Sequence, residues 1–146
     1  MKHFSSYDVV SRWNVLAIYH QAPAENAALF WDDIPKRTPH IIKSIQSDGG
    51  SEFQSVFEEE CQKRKSKLFV LPPRSPQLNG AVERANRTHA EEFYEVIDST
   101  FDLANIRPEL LQWEQVSNTI RLNQDLRYLT PQQNLEKYYK KVMCHQ

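Results

Sequence analysis

An α/β layer fold is what the sequence predicts, on three observations. Hydrophobic spacing switches repeatedly between period 2 and period 3.6, in the order strand, strand, helix, strand, helix, strand, helix, helix. The strand-like runs are rich in Val, Ile, Tyr and Trp and are bounded by turn residues. An acidic turn, Ser47-Asp48-Gly49-Gly50, closes one of them, and open α/β sheets place their ligands at such carboxyl ends.

The first two strands are expected over Phe4 to Val10 and Trp13 to Tyr19, joined by a hairpin at Ser11-Arg12. Ala22 to Ile34 repeats Ala24, Ala27, Ala28, Trp31 and Ile34 at helical intervals, with Pro35 and Pro39 bracketing its exit. Ile41, Ile42 and Ile45 form a third strand entering the Asp48 turn. Ser51 with Gln54 then makes a capping-box signature for a helix with Phe53, Val56, Phe57 and Cys61 on one face. Cys61 reads there as a small core residue. Lys67 to Leu71 is a fourth strand, and Pro72, Pro73 and Pro76 break regular structure after it, giving an exposed loop. A long helix is expected from about Leu78 to about Ala104, and a last one from near Pro108 with Leu110, Leu111, Trp113, Val116 and Ile120 inward.

Composition is that of one soluble globular domain: 146 residues, 40% hydrophobic and 25% charged. No apolar stretch is long enough to span a membrane, and Met1 to Asp8 holds no secretory core, so a cytoplasmic location is expected. Cys61 and Cys144 give neither a metal spacing nor a disulfide framework, and the five histidines show no ligand spacing. The net charge of −1 hides an uneven distribution. Lys63, Arg64, Lys65, Lys67, Arg74, Arg84 and Arg87 face a single acid, Glu83, between Gln62 and Arg87. Such a segment attracts phosphate while the whole chain stays near neutral, although charge alone is equally compatible with a solvated surface.

Asp48 at a strand end and Glu83 early in a helix can converge on one cation, and oxygen-only ligation suits Mg²⁺ or Mn²⁺. Asn86 and Arg87 follow Glu83 at i+3 and i+4, on the same helical face. Taken singly these are bland: Asp-Gly-Gly is a common turn, a Glu in a first turn suits the helix dipole, and Asn79-Gly80 can cap a helix. Asn86-Arg87-Thr88 matches a glycosylation acceptor but lacks a secretory context.

The joint pattern is specific. Ser47-Asp48-Gly49-Gly50-Ser51-Glu52-Phe53, followed by Pro73-Arg74-Ser75-Pro76-Gln77-Leu78-Asn79-Gly80-Ala81-Val82-Glu83-Arg84, resembles the second half of the integrase core of bacterial insertion-sequence transposases. That core belongs to the Asp-Asp-Glu transposase and retroviral-type integrase family. Asp48 and Glu83 have 34 residues between them, near the family spacing, and the resemblance runs from about Tyr7 to Pro131. It implies a ribonuclease-H-like integrase core over residues 1–131, followed by a C-terminal tail over 132–146. It also implies two Mg²⁺ or Mn²⁺ ions held by three acids, with Asp48 as the second and Glu83 as the third. Catalysis would be DNA cleavage and strand transfer. Asn86 and Arg87, with Arg84, Arg74, Lys63, Arg64, Lys65 and Lys67, would contact DNA. Partners would be DNA, a further copy of the chain or a full-length transposase.

Two departures from the family pattern shape the expectations. Tyr7-Asp8-Val9-Val10-Ser11-Arg12-Trp13 matches the end of the family's second strand, which places the first strand and its Asp upstream of Met1. Asp8 falls where the family has no metal ligand. That first strand is central in the family's sheet, so the present sheet is expected in two halves with open edges, and the chain to be marginally stable and inactive alone. No helix-turn-helix module precedes the core, which argues against sequence-specific binding to transposon ends. Near the C-terminus, Trp113 to Asn123 resembles the family's Trp…Tyr-Asn…Arg-Pro-His segment, with Ser117, Leu122 and Asn123 replacing its Tyr, Pro and His, and Thr130-Pro131 retained. These changes read as drift away from activity. The rival readings are therefore a remnant that binds DNA or transposase weakly, and a nuclease of the same fold, which the Leu-Asn-Gly-Ala-Val-Glu-Arg block disfavours.

Overall fold

The computed structural model describes residues 1–21, 24–47, 51–70, 76–97 and 102–144. Strands β1 (Lys2–Tyr7) and β2 (Asn14–Tyr19) pair antiparallel, from Lys2 opposite Tyr19 to Tyr7 opposite Asn14. Strands β3 (Ser44–Ser47) and β4 (Lys67–Val70) pair parallel, Ser44 opposite Lys67. Among the described residues these are two separate two-stranded sheets. Helices α1 (Ala24–Arg37), α2 (Ser51–Arg64), α3 (Pro76–His89), α4 (Leu103–Thr119) and α5 (Pro131–Cys144) complete the element order.

Alternation along β2 explains the layers. Val15 joins Phe30, Trp31, Ile34 and Cys61 in one core, against which Phe4, Ala17, Tyr19, Ile45 and Leu68 pack. Leu16 and Ile18 point the other way, into a second core with Phe93, Leu103, Ile106 and Leu110. One face of β2 thus packs on α1 and the other on α4, as period-2 side chains require. Strands of both sheets contribute to the α1 core, which ties the two pairs together.

The hairpin is longer than Ser11-Arg12, because Asp8 organises it. Its carboxylate accepts from the Val10 amide at 3.1 Å, and from the Ser11 amide at 3.4 Å and hydroxyl at 2.5 Å. The Arg12 amide donates to the Asp8 carbonyl, and Arg12 takes a left-handed φ of 65°. Val9 and Val10 consequently lie exposed in the turn instead of extending β1.

The expected long helix is interrupted. After His89 the chain widens into a π turn over Ala90–Tyr94, with the Glu95 amide reaching the Ala90 carbonyl at 3.0 Å. That turn buries Phe93. Asp102, extended and accepting from the Ala104 amide, then caps a new helix, α4, which starts five residues before Pro108. The 132–146 segment is helical through Cys144, opened by a reciprocal cap between Thr130 and Gln133.

The inner face of α4 corrects the expected stripe. Leu103, Ile106, Leu110, Glu114, Ser117 and Asn118 are buried, while Leu111, Val116 and Ile120 are exposed. Polar residues lie inside because they meet backbone. The Leu16 amide donates to Glu114 at 2.7 Å, and Asn118 both accepts from the Asn14 amide and donates to its carbonyl at 2.8 Å. Arg37 donates to the Leu16 carbonyl at 3.0 Å and pairs with Glu114, and Arg107 donates to the Ile18 carbonyl. Side chains therefore satisfy the outer edge of β2, where a further strand would otherwise bond.

Candidate functional site

Helix α3 carries the site. It begins at Pro76, a residue suited to a first turn because its missing N–H would lack a helical partner anyway. Asn79 and Gly80 therefore lie inside the helix and do not cap it. A Cβ built at Gly80 meets nothing within 4 Å, so packing among the described residues does not demand glycine there. Glu83, one turn further, is exposed, and no hydrogen bond or ion pair engages it among the described residues.

Asn86 and Arg87 follow on the exposed side. The Ser5 hydroxyl donates to Asn86 Oδ1 at 2.8 Å, which pins α3 to β1. Arg84 lies 3.8 Å from Asp125, in the connection between α4 and α5, while its side chain stays largely exposed. Asp48 immediately follows Ser47, the last residue of β3; Asp48 and Arg74 lie outside the described residues. Their meeting with Glu83 thus stays an expectation from the sequence.

The other basic residues occupy the α2–β4 turn. Lys63 pairs with Glu60 at 2.9 Å, and Arg64 pairs with Asp32 and Glu60. Lys65, with φ 54°, ends the helix, its amide donating to the Gln62 carbonyl, and Lys67 is exposed on β4. Lys63 and Arg64 are thus balanced by local acids, and α3 packs against β1.

Asp8 is occupied. Besides the hairpin bonds, its carboxylate lies 3.2 Å from His40 Nε2. A carboxylate spent on a turn has little capacity left for a cation.

A buried polar cluster under α3 escaped the sequence reading. His3 Nδ1 lies 2.5 Å from the Tyr94 hydroxyl, and His89 Nε2 lies 3.2 Å from Asn14 Oδ1. The two imidazoles are 5.5 Å apart, and His89 meets Trp113 edge-on. His3 Nε2 and His89 Nδ1 are buried without a hydrogen-bond partner among the described residues. Burial lowers both histidines to about 4 and pushes Tyr94 up to about 12. Burial likewise raises Glu114, with Arg37 opposing it. No spacing signal exposes the histidines, whereas Glu114, Ser117 and Asn118 continue the three- and four-residue stripe of Leu103, Ile106 and Leu110.

Residues 64–131 match the integrase core domain family. Sixty residues, 40% of the chain, are 37% identical to the retrovirus-related Pol polyprotein from transposon TNT 1-94 of Nicotiana tabacum, and span 4% of that polyprotein's length. The fold is similar to the catalytic core domain of BIV integrase, with TM-score 0.71 and 19% identity over 96% of this chain and 89% of that one. No helix among the described residues is long and apolar enough to cross a membrane. The segment similar to the integrase core domain family thus contains Glu83 and Arg84, and the fold around it is similar to that of an integrase catalytic core.

Proposed function

We propose that the chain is the integrase-core portion of a transposase of the bacterial insertion-sequence type, whose reaction is metal-dependent DNA cleavage and strand transfer. The observation that carries this is Glu83: an open carboxylate on α3, inside the family-matched segment, on a helix pinned to β1 through Asn86 and Ser5. The donor chemistry fits a hard divalent cation, since Asp48 and Glu83 offer oxygen ligands only and Glu83 is not tied to a neighbour. Asp48 and Glu83 would hold Mg²⁺ or Mn²⁺, which when bound activates a water or a DNA 3′-hydroxyl and stabilises the leaving oxygen. Ser5 and Asn86 keep α3 at a fixed height over the sheet, and so orient the Glu83 carboxylate. Arg84, Arg87 and Arg74 would neutralise the phosphates on either side, setting affinity more than sequence choice.

The resemblance assigns two of the family's three acids, Asp48 and Glu83, and the Asp8 carboxylate, already engaged by its own turn and beside His40, is not proposed as the third. The 146-residue chain alone is therefore expected to join no DNA 3′ ends with Mg²⁺ or Mn²⁺. A strand bearing an Asp, fused ahead of Met1, should create joining that Asp48→Asn or Glu83→Gln each abolishes. Silence of that extended chain would overturn the catalytic reading, and joining by the 146-residue chain would promote Asp8 to a ligand. Strand pairing split into two separate sheets among the described residues favours a second reading, a non-catalytic remnant that binds DNA weakly or joins a full-length transposase.

A further inference from the structure

The connection between α4 and α5 is built more stiffly than its length requires. The Asn123 amide donates to the Leu129 carbonyl at 3.0 Å, and its own carbonyl accepts from the Leu126 amide at 3.1 Å and the Tyr128 amide at 2.9 Å. The Asn123 side chain accepts from the Asp125 amide at 3.0 Å, and the Arg127 amide donates to the Gln124 carbonyl. Inside this frame two consecutive non-glycine residues take left-handed backbone, Arg127 at φ 55° and Tyr128 at φ 62°. Glycine would adopt that conformation at less cost, so neither side chain is explained by the turn. Nor does packing explain them: Arg127 is exposed, and Tyr128 is 64% exposed. A rigid loop thus holds a cation and an aromatic ring out into solvent.

The loop also has a fixed address. Asp125 lies 3.3 Å from Arg12 and 3.8 Å from Arg84, the residue beside Glu83. The loop is thereby docked between the hairpin and α3, with exposed Arg87 one turn along that helix from Arg84. A guanidinium for phosphate beside a ring for stacking is the usual chemistry for holding unpaired nucleotides.

We propose that the 123–129 loop is a nucleic-acid contact beside Glu83, where the Tyr128 ring stacks on an unpaired base and Arg127 holds an adjacent phosphate. This rests on the DNA-directed reading above and specifies the state of the DNA it prefers, a duplex with single-stranded nucleotides at its end. The test is fluorescence anisotropy of the full 146-residue chain with two labelled 20-base-pair duplexes, one blunt and one carrying a four-nucleotide 3′ overhang. Tyr128→Gly should weaken overhang binding about tenfold and leave blunt binding unchanged. Its thermal midpoint should hold or rise, because glycine relieves the left-handed strain. Tyr128→Phe should bind as the wild type does, and Arg127→Gly should weaken both duplexes and flatten the salt dependence. If Tyr128→Gly leaves overhang binding unchanged while Arg87→Ala weakens both duplexes, this inference falls and the DNA-directed reading stands. Equal weakening on both duplexes with a lowered midpoint would make the loop structural and also overturn it. A wild-type chain that binds neither duplex removes both.

Discussion

Two histidines without any recognisable spacing, His3 and His89, become pH-sensitive through burial once the chain folds. Half-buried His3 from β1 and buried His89 from the end of α3 lie 5.5 Å apart, each with one buried ring nitrogen lacking a partner among the described residues. Tyr94, Asn14 and Trp113 surround them, and the Arg121 charge further disfavours protonating His89. Both fold as neutral imidazoles with values near 4, below the 6.5 of a free histidine. Because folding depresses both values, their stability contribution is complete above about pH 6.5 and is lost as pH falls toward 4. Each contributes up to about 1.4 kcal/mol per pH unit in that window. Urea unfolding should show the wild type losing a few kcal/mol between pH 7 and pH 5. His89→Gln should lose clearly less over the same interval, and equal losses in both proteins would remove the pair from the explanation.

Among the elements, the outcomes divide by what each one packs against. Strands β2 and β4 and helices α1 and α2 were legible because their apolar residues meet other apolar residues, which period alone predicts. Helix α4 was legible as a helix but not in its orientation. Its target is the outer edge of β2, a row of backbone donors and acceptors, so Glu114, Ser117 and Asn118 turn inward while Leu111, Val116 and Ile120 stay out. Ser117, read from the sequence as drift, lies buried within 3.5 Å of Asn14 Nδ2. Glu114→Ala would leave the Leu16 amide and the Arg37 guanidinium without their acceptor, at a cost of about 2–3 kcal/mol. Val116→Ala, on the exposed side, should change stability by less than about 0.5 kcal/mol. Chemical denaturation of the two variants decides between the expected face and the observed one, since the reverse ranking would restore the apolar stripe.

At the scale of the molecule the governing feature is that the strands among the described residues pair two by two. In β1 the backbone groups of Lys2, Phe4 and Ser6 serve β2, because the intervening residues of β2, Asn14 and Leu16, bond to side chains on the opposite edge. His3, Ser5 and Tyr7 thus turn their backbone groups away from β2, toward an edge that no strand covers among the described residues. Such an edge invites pairing with another chain. The expected behaviour is a broad thermal transition with concentration-dependent association. Fusing a strand ahead of Met1 should sharpen unfolding into one cooperative transition. If that strand bears an Asp, added Mg²⁺ should raise the midpoint, because an ion bound only by the folded state stabilises it by mass action. Calorimetry of both proteins with and without Mg²⁺ tests this, and a cooperative monomer unaffected by the added strand would refute it.

Local chemistry along the chain was enough to establish the alternating layers, the start of α2 at Ser51, the core position of Cys61 and the helix that carries Glu83. Each depends on neighbours within a few residues or on a contiguous motif. Other features depend on partners far apart in sequence. Asp8 became a hairpin organiser because His40 and its own turn claim the carboxylate. Asn86 became a tether because β1 brings Ser5 beneath α3, 81 residues away in the chain. Arg64 pairs with Asp32 and Glu60, and Arg84 lies within reach of Asp125. Periodicity reports which face of a helix is buried, but what that face meets depends on three-dimensional packing. Where it meets a backbone edge, hydrogen-bond satisfaction outweighs hydrophobicity, and the buried residues are polar.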